Sequence, residues 1–359
     1  RAGDDLTILP RYFDRWGREI SQEAWEAARD EFRGRVEEVE LPGPRWSSYS
    51  ELYRESGEMF RSPSPRRFAL VNVRLRTTNP QRRALIRRLR IGLAPPLVDQ
   101  TFAEITPSRD VEPGVDTEFT MYLRPQFASG DPGFDGIGLR STSTAPVDLL
   151  GLRVASERLL SFGTGQDLLE ASNIESVDGG VDITLPEAER RSGRIYELRF
   201  RTQVFLSGTT FQALLSLASR PGVVQQASDG DAVDFVQSQT LVALSQLRPG
   251  RLLDALQIEP PVFTPNGDGI NDNTIVGIDV FQVRGSNARI GVEVFDLTGA
   301  RVRDLSQTAP SPSGRHQILW DGRDDGGRLV APGIYVVRAA IDVDASTSAQ
   351  RTGLIHVAY

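Results

Sequence analysis

The sequence predicts an all-β chain: tandem antiparallel β-sandwiches of the immunoglobulin-like or jelly-roll-like kind, led by one N-terminal amphipathic helix. Three observations predict it. From residue 66 onward, short segments alternate apolar and polar residues at period two. Gly, Pro and Asp-Gly turn signals separate these segments at short spacing. No amphipathic helix long enough for a strand-helix-strand crossover lies between them.

The first 65 residues have a different texture. "SQEAWEAARDEFRGRVEEVE" opens on a serine, carries acids in its first turn and spaces Trp25, Ala28, Phe32 and Val36 three or four apart. That spacing predicts an amphipathic helix. Aromatic-rich, irregular stretches flank it, and three of the four tryptophans fall within residues 16–46. Tyr12, Phe13, Trp16, Trp25, Trp46 and Tyr49, with Arg11, Arg15 and Arg45 beside them, are candidate partner-binding anchors, because Trp, Tyr and Arg dominate interface hot spots. The competing reading makes the same aromatics part of the neighbouring domain's own core.

Residues 66–108 read as β-rich, alone or as part of a jelly-roll-like domain with 1–65. "RFALVNVRLRTT" alternates Ala69, Val71, Val73 and Leu75 against Leu70, Asn72, Arg74 and Arg76, and "LIRRLRIGL" repeats the pattern beyond an Asn79-Pro80 turn. With the following "FAEITP", this pair resembles the late strands of discoidin-like, galactose-binding jelly rolls over about residues 66–107. About ten arginines fall within residues 61–90, Arg83, Arg87 and Arg88 among them. Such a cluster suits an acidic protein surface or lipid headgroups, since guanidinium groups bind carboxylate and phosphate bidentately. Its plainer reading is the polar face of two strands.

Residues 109–258 supply six further alternating segments, from "EFTMYLRPQF" to "FQALLSLAS", and predict an immunoglobulin-like or cohesin-like sandwich. The last domain, 259–359, begins at "PPVFTPNGDGINDN". Its Asn266, Asp268, Asn271 and Asp272 offer a candidate Ca²⁺ site. In an EF-hand-type alignment, however, Thr264 and Ile275 occupy the first and twelfth positions, and both end ligands are missing. The alternative is a turn in which Gly267 and Gly269 take positive φ and the Asx side chains bind nearby amides.

"VEVFDLTGARVRDL" and "GRHQILWDGRDDGGRLVAPGIYVVR", following "FTPNGDGIND", resemble the immunoglobulin-like domain of the flagellar hook-capping protein family and related C-terminal domains of secreted bacterial proteins. The resemblance covers about residues 260–359. It implies a sandwich with Trp320 and Tyr335 in its core, glycines at its turns and no catalytic residue. In one group of these domains it implies an export tag, whereas "LIHVAY" reads as an ordinary last strand.

Composition narrows the function. A net charge of −7 and a pI near 5.2 argue against a general nucleic-acid binder. All 41 basic residues are arginine, a mark of coding bias. The absence of cysteine removes thiol nucleophiles and thiolate metal sites, and leans toward a bacterial envelope or surface protein. A leader or anchor preceding Arg1 and since removed fits the same location. His316 and His356 both sit in predicted strands, and no catalytic motif accompanies them. The sequence therefore predicts a non-enzymatic periplasmic or extracellular scaffold that binds protein partners and requires no cofactor, Ca²⁺ being the one candidate ion. A peripheral subunit on the outer face of a membrane complex fits it. The alternative is a secreted adhesin or carbohydrate-binding sandwich.

Overall fold

In a computed structural model, residues 1–359 are described apart from 45, 48, 51, 54, 78, 80, 247–249, 284–287, 310, 345 and 346. Arg45 and Pro80 therefore lie outside the described residues. Regular structure in the described residues is almost wholly β-strand, in mainly antiparallel sheets, as the alternation predicts.

Two sandwiches carry most of the buried apolar surface. In one sheet of the first sandwich, Gln100–Thr106, Thr117–Gln126, Ile195–Thr202 and Asp148–Ala155 are successive neighbours. The facing sheet runs Asn173–Val177, Gly180–Glu189, Phe134–Ser141, Gly208–Ser216, Val224–Gln226. Alternation becomes burial here: Thr209, Phe211, Ala213 and Leu215 point inward while their neighbours are half-exposed. Phe119, Phe200 and Phe211 meet in the core at centroid distances of 5.2–5.8 Å.

The core of this sandwich begins at Leu97, and the strand Gln100–Thr106 pairs along its whole length with Thr117–Gln126. That strand belongs to the sandwich, on the far side of the boundary expected near residue 108. Its alternation resembles that of the preceding arginine-rich segments, so the sequence gives no sign of where the sheet starts.

In the second sandwich Thr274–Val280 lies between Gln257–Glu259 and Gly314–Trp320. The facing sheet orders Val262–Phe263, Thr347–Val357, Gly333–Asp344, Ala288–Phe295 and Arg301–Asp304. Trp320 packs against Phe263 at 5.4 Å and Tyr335 at 5.6 Å, and both Trp320 and Tyr335 are core residues as the resemblance implies. His316 and His356 lie in the strands Gly314–Trp320 and Thr347–Val357. Phe281 joins the two sandwiches, packing on Phe205 at 5.6 Å while the amide of Gln282 donates to the Phe205 carbonyl.

The N-terminal helix is much shorter than its periodicity predicts. Ser21 caps Gln22–Ala27 by accepting from the Ala24 amide, but Ala28 is already extended and residues 33–42 form a strand. That strand pairs with Leu6–Asp14, in register from Leu6 opposite Pro42 to Tyr12 opposite Val36. The reason is local and tertiary at once. Gly34 is a poor helix residue, and its bare Cα lets the strand approach the Asp14 carbonyl, which a Cβ would meet at 2.1 Å. Val36 and Val39 are β-branched and gain ladder partners only as a strand.

The region 66–93 departs further from expectation. Among its described residues only Phe68–Ala69 is a strand, paired with Ala2–Gly3. The Asn79 turn is present, with the Arg82 amide donating to the Asn79 carbonyl. Yet none of residues 71–76 and 83–96 makes a backbone hydrogen bond to another described residue. No discoidin-like jelly roll forms over 66–107. An isolated two-stranded ribbon is marginal in water, and no third strand or helix covers this one.

Candidate docking surface and the loop at residues 260–273

The candidate anchors fall into separate places. Leu6–Asp14 carries Tyr12 and Phe13. Phe13 is buried, and Tyr12 is half-buried against Trp25 at 5.5 Å. Trp25 is held by its short helix: its indole N–H donates to the Gly34 carbonyl at 3.1 Å, and the Arg33 guanidinium lies 4.9 Å from its ring. These three aromatics serve the segment's own packing. Arg11 pairs with Glu19 across the hairpin.

Trp16 is different. It sits in the turn after Leu6–Asp14 and is 60% exposed. Asp14, itself buried, accepts from the Trp16 and Arg18 amides and from the Arg18 guanidinium, which fixes that turn. Phe32 lies 6.0 Å from Trp16, and the Arg15 and Arg18 guanidinium groups lie 5.2 and 5.3 Å from the Trp16 ring. The outcome is an exposed Trp–Phe pair flanked by two cations, a composition enriched at interface hot spots. Neither Phe32, expected on the apolar face of a helix, nor Arg18 was among the candidate anchors. They reach Trp16 through the hairpin that the helical reading concealed.

A second aromatic group lies at the chain start. Trp46 is half-buried over Gly3 and donates to the Asp5 carbonyl, while Tyr49 is 53% exposed with the Arg1 guanidinium 4.7 Å from its ring. Arg83, Arg87 and Arg88 all stand exposed in the segment after the Asn79 turn. The described candidates therefore occupy several places rather than one continuous site.

One internal polar group escaped sequence reasoning altogether. Glu104 alternates outward on its strand and reads as solvent-facing, but it is fully buried. The segment around residues 231–233 crosses above it, and one carboxylate oxygen accepts from the amides of Ala232 (3.1 Å) and Val233 (2.7 Å). The other oxygen has no hydrogen-bond partner among the described residues. Burial, reinforced by Asp231 nearby, pushes the carboxyl up to about 7 against the opposing amides and Arg124. Nothing local in the sequence signals a covering segment more than a hundred residues away.

In the loop, the carboxylates are engaged by amides. Asp272 accepts from Gly267 and Gly269, each at 2.7 Å, and Asp268 accepts from Ile270 at 2.8 Å while Asn266 accepts from the Asp268 amide. Gly267 and Gly269 have φ of 82° and 86°, and Asn271 has φ of 53°. The Asn266 side chain and the Ile270 amide hold the Asp268 carboxyl below its ordinary range. Each of the four candidate Ca²⁺ ligands thus has a place in the turn. Among the described residues, no group of three or more His, Cys, Asp or Glu is arranged to hold a metal ion.

Comparison with known proteins bears on the second sandwich. Residues 275–344 match the model of the FlgD Ig-like domain. The match falls within the region where the sequence resembles the hook-capping family. No curated protein matches the chain. Among solved structures, dimeric latent PorU from Porphyromonas gingivalis is 14% identical, with a TM-score of 0.25 over 72% of this chain and 20% of that one. The chain thus spans a fifth of PorU's length. A variant of BcpA, the major pilin subunit of Bacillus cereus, is 9% identical with a TM-score of 0.26 over 72% and 66% of the two chains. The C-terminal domain of the Streptococcus pyogenes antigen I/II-family protein AspA is 9% identical with a TM-score of 0.27 over 74% and 100%. Scores this low carry no argument about this chain, whose fold rests on its own ladders.

Proposed function

We propose that this is a non-enzymatic, extracytoplasmic docking protein: two immunoglobulin-like sandwiches hold an N-terminal aromatic segment toward a protein partner. The observation that carries the reading is the exposed Trp16–Phe32 pair with Arg15 and Arg18 at the tip of the hairpin. The FlgD Ig-like match at residues 275–344 supports it, as a domain whose family resemblance brings no catalytic residue. The role that fits best is a peripheral accessory subunit on the outer, periplasmic face of a bacterial envelope complex. Its arginine-rich segment would face an acidic surface or lipid headgroups, and nucleic acid is not among its partners. Ca²⁺ at the 260–273 loop remains part of the proposal, to be tested by chelation.

Removal of residues 1–63 tests it. Ser64 and Arg66 stay tied to the first sandwich, Ser64 through the Gln226 amide and carbonyl and Arg66 through Ser228, so the sandwiches keep their anchor. The truncated chain should remain soluble and β-rich by circular dichroism yet lose the proteins that co-purify with the intact chain. Full retention of those proteins would overturn the reading. The second reading, a secreted adhesin or carbohydrate-binding protein, draws on the exposed ring of Tyr49. Retention of the intact chain on a polysaccharide column, lost in Tyr49→Ala, would favour it instead.

A further inference from the structure

The arginine-rich arm, residues 70–96, combines three properties that together ask for an occupant. Most of its backbone is unpaired: residues 71–76 and 83–96 make no backbone hydrogen bond to described residues. Its apolar side chains are bare, with Leu75 53%, Leu89 59% and Ile91 51% exposed. Its charge has one sign: residues 61–98 hold ten arginines and no acid, so the remaining chain carries 31 basic and 48 acidic residues, a net −17. None of the seven arginines from Arg74 to Arg90 makes an ion pair among the described residues.

A complementary surface exists on the same molecule. Asn173–Val177 is the outermost strand of its six-stranded sheet in the first sandwich, where Val242–Leu244 also pairs with Gly208–Ser216, and among the described residues it is paired on one side only, with Gly180–Glu189. It lies in an acidic stretch: residues 159–189 contain seven acids and no basic residue, and of these Asp182 pairs with Arg140 and Glu189 with Arg191 and Arg194. Glu170, Glu175 and Asp178 are exposed and without an ion pair among the described residues. Ile174 adds an exposed apolar side chain on the edge itself.

Within one copy, the anchored end of the arm and this acidic edge lie on opposite sides of the sheet. The arm ends at Leu97 and Val98, whose amides donate to the Gln225 side chain, and Gln225 lies in Val224–Gln226 at the opposite edge of that same sheet. Four strand spacings, about 19 Å, lie between the two edges. We propose that the arm of one copy adds as an extended strand to the Asn173–Val177 edge of a second copy, its arginines facing Glu175 and Asp178. Strand addition supplies the missing backbone partners, and alternate side chains bring apolar and charged contacts together. A lipid headgroup surface would supply the charge but no strand edge for the backbone to pair with. Because arm and receiving edge are different surfaces, the association closes as a two-fold dimer when two copies exchange arms reciprocally, and otherwise runs head-to-tail as a ring or an open chain.

Sedimentation velocity on the full chain tests this, and independently of the partner proposed above. In about 0.05 M salt the chain should sediment as more than a monomer, and in about 0.5 M salt, where screening is strong, it should revert. Arg87→Glu/Arg88→Glu and Glu175→Arg/Asp178→Arg alter exposed side chains only, and each should weaken association by about 10-fold or more, since like charges then face each other. Mixing the two charge-reversed variants should restore it. Near-ultraviolet circular dichroism checks that both are folded. A full chain that stays monomeric at low salt, variants that associate unchanged, or a mixture that fails to recover would each overturn the proposal. So would a monomeric chain that sediments with anionic phosphatidylglycerol vesicles and loses that binding in the arginine variant, which would assign the arm to a membrane.

Discussion

The strands "RIYELRFRT" and "RFALVNVRL" alternate in nearly the same way, yet the structure treats them oppositely. The first, Ile195–Thr202, lies in the middle of a sheet, laddered on one side to Thr117–Gln126 and on the other to Asp148–Ala155, with Leu198 and Phe200 fully buried. The second contributes only Phe68–Ala69 to a two-residue pairing and leaves Val71, Val73 and Leu75 exposed. The difference teaches that alternation specifies which residues would share a face, whereas burial depends on what the rest of the chain brings to that face.

Truncating side chains in the two regions should expose this difference at its largest. Phe200→Ala removes a ring packed between Phe119 and Phe211, and large-to-small changes at such sites cost about 3–5 kcal/mol. Leu89→Ala, at an exposed position on the arm, should fall within about 0.5 kcal/mol. Urea denaturation of the two variants measures both, and a comparable loss in each would show that the arm is packed in solution.

Glu104 gives the next largest effect, confined to the sandwich. Its carboxyl is raised from 4.5 to about 7 in the folded chain. The folded state therefore holds more protons than the unfolded state between those values, and stability falls as pH rises through that window. The loss reaches at most about 3 kcal/mol once both states are ionised. Other carboxylates act in the opposite sense at lower pH: burial raises Glu189, but Arg191, Arg194 and Tyr196 bring it below its ordinary range. Comparison with Glu104→Gln isolates the effect. The variant should be the more stable at pH 8 and lose the decline between pH 5 and 8, and parallel pH profiles would show that Glu104 stays ionised throughout.

How much of this was legible follows the same divide. In the two sandwiches, turn residues and alternation placed the strands because each has a partner close in the sheet order, and Trp320 and Tyr335 lie where the family resemblance implies. In the first hundred residues, local signals competed with distant ones. Ser21 and Glu23 start a helix as expected, but pairing of Arg33–Pro42 with Leu6–Asp14 ends it. For the candidate site, Trp16 was legible as a residue type. Its neighbours Phe32 and Arg18 were not, because only the hairpin brings them to it.

At the 260–273 loop the expected effect is smaller. Asp272→Ala removes the acceptor shared by the Gly267 and Gly269 amides, and should cost about 1–2 kcal/mol in an exposed turn. A chelator should leave the melting temperature unchanged if the carboxylates only shape the turn. A bound Ca²⁺ at about 100 times its dissociation constant would instead contribute about 2.7 kcal/mol, and its removal would be plain in the same scan.

The smallest effect on stability belongs to Trp16, and it separates docking from packing. Its side chain is 60% exposed and its polar anchor is the Asp14 carboxylate, which binds the Trp16 amide rather than the indole. Trp16→Ala should therefore keep the turn and change stability by no more than about 0.5 kcal/mol. Phe13→Ala, at a buried position one residue before Asp14, should destabilise the hairpin more. If Trp16 anchors a partner, the same variant should weaken that complex by at least about 2 kcal/mol, roughly 30-fold in the dissociation constant. Circular dichroism melts and a binding isotherm against the co-purified partner give the two numbers. A Trp16→Ala chain that melts several degrees lower and binds unchanged would make the ring part of the hairpin's own packing and remove it from the interface.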